Sequence, residues 1–153
     1  MIKSDKVIKN NISQLLDGKK TFLVKIPRKG NYLVNITGIY RIDTNSDLLK
    51  FKLLSSLSDT SIKQYIKELS KAESLIESPK ITNDINNNVL FYNYTSESYI
   101  VQVNSMLFLP YLQGANYTFK VYKNRLYILD ENDNLDIMIS AIGYNNLRKD
   151  EKE

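Results

Sequence analysis

Apolar and polar residues alternate with a period of two along much of this chain, and this pattern limits its possible folds most strongly. The clearest case is segment 30–43, GNYLVNITGIYRID, which predicts one extended strand. Its expected faces are Tyr32, Val34, Ile36, Gly38, Tyr40 and Ile42 on one side, and Leu33, Asn35, Thr37, Ile39, Arg41 and Asp43 on the other. Successive side chains of a strand point to opposite faces of a sheet, so a mainly sheet protein is expected.

Seven further segments have strand character. They are 21–27, 48–54, 89–95, 98–109, 117–122, 125–130 and 135–142. Two other segments repeat apolar residues at helical spacing, which predicts helices over 4–17 and 60–77. Ser4 is a suitable N-cap for the first helix, and Ser78 before Pro79 is a natural end for the second. The polar segment 80–88, KITNDINNN, is predicted to be a mobile loop.

The resulting order, αβββαβββββ, predicts an α+β protein. We expect mainly antiparallel sheet of about eight strands, curled around or packed on an amphipathic helix, plus the N-terminal helix. A chain of 153 residues normally forms one domain, expected here over 1–146 and followed by a charged flexible tail over 147–153. No segment approaches the length of about 18 apolar residues typical of a membrane-spanning helix, and the N-terminus lacks the apolar core of a signal peptide. The expected location is cytoplasmic, or outside the cell after release without a classical signal peptide.

The chain contains neither cysteine nor histidine, which narrows the possible chemistry. Ser-His-Asp and Cys-His sites and classical zinc sites are excluded, and the acidic residues lie in turn-like polar segments. Segment 130–136, DENDNLD, resembles a calcium loop but has Leu135 where glycine is needed and Ala141 where glutamate is needed. We therefore predict a protein that is not an enzyme, with no catalytic residues, no metal site and no cofactor.

Two of the strand segments are apolar on both faces. Met106 and Phe108 alternate with Leu107 and Leu109, and segment 137–142 shows the same property. Strands that are apolar on both sides are covered on both sides. The 60–77 helix can cover one side, and the N-terminal helix, a lipid-like ligand or another protein can cover the other.

Eleven tyrosines, mostly on strands, suggest three alternatives. They can form cross-strand pairs within the sheet, a protein-binding face, or a stacking platform for single-stranded nucleic acid beside Lys120, Lys123 and Arg125. The net charge of +4 is mild, and lysine far outnumbers arginine, which makes nucleic acid the least favoured. The candidate partner-binding residues are Tyr92, Tyr94, Tyr99, Met106, Phe108, Tyr122 and Tyr127.

Segment 24–42, VKIPRKGNYLVNITGIYRI, opens a series of long alternating strands in a cysteine-free chain rich in Asn, Lys, Ile and Tyr. Together with the amphipathic helix, this resembles the smallest OrfX-type proteins of clostridial neurotoxin gene clusters. The resemblance implies a non-toxic accessory protein, related to tubular lipid-binding folds in which a curled sheet wraps a helix, and associating with other members of its family. It carries over no functional residue.

The function expected from the sequence is therefore that of a non-enzymatic accessory or assembly protein. Its apolar, tyrosine-rich sheet face would bind a larger protein partner, or alternatively lipid. The competing hypothesis is a nucleic-acid-binding module that uses the strands rich in lysine and tyrosine.

Overall fold

The computed structural model describes residues 2–17, 21–26, 30–42, 59–114 and 116–147. Its helices are α1 (Ser4–Asp17) and α2 (Asp59–Lys67), the second continued by a 3-10 turn over Glu68–Lys71. Its strands are β1 (Phe22–Ile26), β2 (Gly30–Val34), β3 (Gly38–Ile42), β4 (Glu73–Ser74), β5 (Lys80–Asp84), β6 (Val89–Thr95), β7 (Tyr99–Asn104), β8 (Thr118–Tyr122), β9 (Arg125–Leu129), β10 (Leu135–Ser140) and β11 (Gly143–Asn146). The protein is α+β, as predicted.

The described strands form two antiparallel sheets. A seven-stranded sheet has the order β1-β2-β3-β10-β9-β8-β4, and a four-stranded sheet has the order β11-β7-β6-β5. We call them the large sheet and the small sheet. In the large sheet β3 pairs with β10, with Tyr40 opposite Ile137 and Gly38 opposite Ile139. This pairing joins the N-terminal strands to the C-terminal ones.

Segment 30–43 is not one strand, because a turn at Asn35–Gly38 folds it into the β2–β3 hairpin. The Asn35 side-chain oxygen Oδ1 accepts hydrogen bonds from the backbone N–H groups of Thr37 and Gly38, both at 2.9 Å. Tyr32 pairs with Arg41, and Leu33 pairs with Tyr40. Tyr32 and Tyr40 therefore lie on opposite faces of the large sheet, contrary to the continuous alternation predicted from the sequence.

The predicted helix over 60–77 is wrong in its C-terminal third. The 3-10 turn ends at Lys71, the backbone of Ala72 is extended, and Glu73–Ser74 pairs with β8. Glu73 then joins the two sheets, since its Oε1 accepts hydrogen bonds from Ser96 Oγ and Ser98 N and its Oε2 accepts one from Ser98 Oγ. Sheet pairing thus overrides the helical periodicity of this segment.

Segment 80–88 is not a loop throughout. Residues 80–84 form β5, which pairs along its full length with β6, and only residues 85–88 form the turn. The strand predicted over 98–109 ends at Asn104 and continues as 3-10 turns over Ser105–Leu107 and Leu109–Tyr111. Within the predicted tail, Leu147 donates its N–H to Ser98 O at 2.7 Å. The strand predicted over 48–54, and the tail after residue 147, lie outside the described residues.

The large sheet is covered on both faces, as its apolar pattern predicted. One face packs with α1, the 3-10 turns and the small sheet around a core that includes Val7, Tyr40, Val101, Phe108 and Ile137. The opposite face buries Tyr32, Tyr127 and Met138, against which Tyr65, Ile66 and Leu69 pack from α2 and its 3-10 turn.

Candidate functional site

Four of the seven side chains predicted to bind a partner belong to the core. Tyr94, Tyr99, Phe108 and Tyr127 are buried. Tyr94 stacks on Phe119 with ring centroids 5.4 Å apart, and Tyr99 meets the edge of Tyr122 at 5.9 Å. These rings stabilise the fold through aromatic contacts and present no face to a partner.

Tyr122 and Tyr127 belong to an arrangement that fixes the helix α2 region on the large sheet. The Arg125 guanidinium lies 4.5 Å above the Tyr65 ring and 5.6 Å from the Tyr122 ring, and it binds Glu68 at 2.6 Å. Arg125 also donates a hydrogen bond to the Tyr127 hydroxyl. Because this arginine is buried and already bound to Glu68 and Tyr127, it is poorly placed to contact phosphate, which weakens the nucleic-acid hypothesis.

The remaining two predicted residues differ in exposure. Tyr92 is half-buried and meets Phe108 edge-on at 5.9 Å, whereas Met106 is 61% exposed. Other large apolar side chains of the described residues are also exposed. They include Ile36, Ile76, Ile81, Ile85, Leu90, Leu109 and Ile142.

Three of these exposed side chains lie on one element, the β5–β6 hairpin. Ile81 is 57% exposed, Leu90 is 41% exposed, and Ile85 at the turn is 83% exposed. Ile81 pairs with Tyr92, and Asn83 pairs with Leu90, so Ile81 and Leu90 share the face from which Tyr92 contacts the core. We call Ile81, Ile85 and Leu90 the hairpin apolar patch. The inner face of the small sheet thus continues outward as an apolar surface beyond the core.

The opposite face of the hairpin is more polar. On β5 it carries Lys80, Thr82 and Asp84, and on β6 it carries Asn93 together with the half-buried Val89 and Phe91. The Asn93 side-chain amide donates to Thr82 Oγ1 and to the Lys80 carbonyl, both at 2.9 Å. Alternation of apolar and polar residues therefore continues into a strand that is exposed on both faces. Sequence reasoning missed β5 because its run of Asn residues is typical of loops, although Ile81 and Thr82 are strand-favouring β-branched residues.

A polar cleft of about 370 Å³ is the alternative candidate site. Its walls are Arg41, residues 113–114 and 116–117, and residues 130–132 and 134. Arg41 Nη1 lies 3.6 Å from Asp130 and 3.8 Å from Asp136. Two carboxylates beside a cleft are the arrangement that acid–base hydrolysis would need.

The contacts of the two carboxylates nevertheless indicate a role in stabilising the fold. Asp130 Oδ1 accepts hydrogen bonds from the N–H groups of Asn132 and Asn134. Burial opposes ionisation, but these hydrogen bonds and Arg41 outweigh it and hold the pKa of Asp130 below its ordinary value. Burial raises the pKa of Asp136, which lies at a β-bulge between Leu135 and Ile137 and does not line the cleft. Asp136 therefore does not face the cleft, and Asp130, which does, is engaged by the turn and by Arg41.

The structural class of the protein is therefore two-sheet α+β. The β5–β6 hairpin of its small sheet projects beyond the core and exposes apolar side chains. No family model matches the chain, and no match is found among curated proteins or solved structures. Among the described residues, no helix is long and apolar enough to cross a membrane, and no cluster of acidic side chains could hold a metal ion. The hairpin is the candidate site.

Proposed function

We propose that this protein is a non-enzymatic binding or assembly protein that contacts a larger protein partner through the hairpin apolar patch. The observation that carries the proposal is the exposure of Ile81, Ile85 and Leu90 on a hairpin whose base is continuous with the core. Several apolar side chains exposed together on one element are typical of interaction sites, whereas single ones are ordinary.

A protein partner is favoured over lipid by the charge of the hairpin. Residues 80–95 contain one lysine and one aspartate and are otherwise uncharged. Peripheral binding to anionic membranes normally combines an apolar surface with a cluster of basic residues, which this hairpin lacks. A neutral apolar patch bordered by Asn and Thr side chains instead matches the polar rim and apolar centre of protein interfaces.

The accessory role implied by the resemblance to OrfX-type proteins is part of this proposal. It makes the products of neighbouring genes the first partners to test. Each of these proteins, purified, would be presented to the immobilised chain and to its Ile81→Asp variant. Ile142→Asp is a matched control, because Ile142 is 59% exposed and lies outside the hairpin.

We expect at least one neighbour-gene product to bind, with binding lost in Ile81→Asp and kept in Ile142→Asp. Equal binding by wild type and Ile81→Asp would overturn the proposed surface. Absence of binding to every neighbour-gene product would overturn the accessory role. A separate experiment measures binding of the chain to vesicles of phosphatidylcholine and phosphatidylserine. Binding to these vesicles but to no neighbour-gene product would indicate that the partner is lipid and not protein.

A further inference from the structure

We infer that the outer edge of β5, which no described strand covers, pairs antiparallel with β5 of a second copy of this chain, in a register centred on Thr82. Both small sheets would then form one continuous sheet, with four strands from each copy. This inference concerns the edge of the hairpin, whereas the proposed function concerns its apolar patch.

The β5 edge has the features of a strand that can accept another strand. It is the outer strand of the small sheet, and residues 80–83 are exposed. Its pairing with β6 runs without a register shift from Lys80 opposite Asn93 to Asp84 opposite Val89. Natural edge strands are protected by a bulge, an internal proline, inward-pointing charges or charged side chains on the edge. β5 has no bulge and no internal proline, and its two charged residues, Lys80 and Asp84, lie at its two ends with opposite signs.

The charges of β5 favour β5 of a second copy of the chain as the strand that pairs with this edge. In an antiparallel pairing centred on Thr82, Lys80 of each copy lies opposite Asp84 of the other, and Ile81 lies opposite Asn83. Thr82 meets Thr82 on the two-fold axis. The pairing is therefore self-complementary, as a two-fold interface requires, and it contains two attractive cross-strand charge pairs. By contrast, β11, the other outer strand of the small sheet, carries no charged residue.

The contacts that Lys80 and Asp84 make within the chain do not prevent this pairing. Lys80 Nζ lies 3.9 Å from Glu77 Oε1 while its side chain is 79% exposed. Asp84 accepts hydrogen bonds from the Asn87 backbone and side chain at the turn. Surface pairs such as Lys80–Glu77 contribute little and exchange readily. The second copy would also place two hairpin apolar patches on one face of the joined sheet, a consequence that rests on the proposed function.

The test is to exchange the charges of Lys80 and Asp84 by mutation and to measure the dissociation constant of the dimer by sedimentation equilibrium over a range of protein concentrations. We expect the wild type to form dimers. Lys80→Glu and Asp84→Lys each create two like-charge pairs per dimer and should raise the dissociation constant about tenfold or more. The double variant Lys80→Glu/Asp84→Lys restores opposite charges and should return the dissociation constant close to that of the wild type.

A second pair of variants tests the register. Thr82→Lys places two lysines on the two-fold axis and should abolish the dimer, whereas Gln102→Lys adds the same charge on the same face two strands from the edge and should not. Circular dichroism would verify that each variant is folded. A monomeric wild type, or a double variant as weak as the single ones, would overturn the inference. Leu90→Asp changes the hairpin apolar patch on β6, outside the β5–β5 pairing, so loss of the dimer and loss of partner binding are distinguishable.

Discussion

Gly38 of β3 lies so close to Met138 of β10 that a side chain at Gly38 would overlap the Met138 carbonyl oxygen. A β-carbon there would also lie 3.3 Å from the Cα atom of Ile139. The contact occurs where the N-terminal strands join the C-terminal strands, and it is flanked by the hydrogen bond from Ser140 N to Thr37 O at 2.9 Å. The large sheet therefore depends on glycine at this position.

Replacing Gly38 with alanine should destabilise the protein strongly. The clash is with backbone, which cannot move without breaking the β3–β10 pairing, so we expect a loss of about 2–4 kcal/mol in the free energy of unfolding. Gly143→Ala is the matched control, because a β-carbon at Gly143 meets nothing within 4 Å. Urea denaturation measures both variants. Similar stabilities for the two would contradict the close approach of β3 and β10.

The parts of the fold that the sequence predicted are those where local pattern and tertiary packing agree. The helix over 4–17 and the strand over 89–95 occur with the predicted bounds. The prediction failed where they disagree. Asn35 and Thr37 continue the alternation of segment 30–43, so the turn between them left no break in the pattern. Residues 73–74 continue a helical period but pair with β8, and a distant strand cannot be read from local spacing.

The hydroxyl of Tyr127 connects β9 to α2. It donates a hydrogen bond to the Tyr65 carbonyl at 2.7 Å, and burial raises the pKa of Tyr127 to about 12, so this donor stays protonated at neutral pH. Tyr127→Phe should lower the free energy of unfolding by about 1–2 kcal/mol, because the Tyr65 carbonyl loses its donor. Tyr144→Phe, at an exposed position of β11, should change it little. Thermal unfolding compares the two, and equal effects would contradict a structural role for this hydrogen bond.

The candidate site was harder to predict than the fold. Alternation assigns Tyr92 and Tyr94 to a face of a strand, but exposure depends on what covers that face. Phe108, between the two 3-10 turns, packs against the rings of Tyr92 and Tyr94, and no local pattern in the sequence predicts this packing. Two residues of the hairpin apolar patch, Ile81 and Ile85, lie in the segment that was predicted to be a loop, whereas Leu90 lies on the predicted strand β6.

The charge of Asp130 should make stability depend on acid pH. Its pKa is lowered in the folded protein, so the unfolded chain binds a proton more readily. The stabilisation is therefore present above the ordinary pKa and is lost as the pH falls through the lowered pKa. Asp130→Asn keeps an oxygen that can accept from Asn132 and Asn134 but loses the charge facing Arg41.

We expect Asp130→Asn to cost about 1 kcal/mol at neutral pH and much less at acid pH, where the wild-type carboxylate is protonated. Urea denaturation at a series of pH values measures the difference. Asp130→Ala should be less stable than Asp130→Asn at every pH, because it also removes the hydrogen-bond acceptor of the turn. A difference between wild type and Asp130→Asn that did not change with pH would contradict the electrostatic origin.

The inner face of the small sheet changes from core to surface over two strands, from Val103 to Ile81. Both residues lie beside Tyr92, since Tyr92 pairs with Val103 on one side and with Ile81 on the other. Val103 is fully buried, whereas Ile81 is 57% exposed. If a residue is apolar because it packs in the core, replacing it with threonine should lower the stability of the isolated protein. If it is apolar because it contacts a partner, the same replacement should leave the stability of the isolated protein unchanged.

Val103→Thr should therefore lower the free energy of unfolding by about 1–3 kcal/mol, because it buries a hydroxyl in an apolar environment. Ile81→Thr should change it by less than about 0.5 kcal/mol, since threonine suits an exposed edge strand. Chemical denaturation of the isolated protein gives both values. If Ile81→Thr were as costly as Val103→Thr, Ile81 would be a folding residue, and the apolar surface of the hairpin would need no partner to explain it.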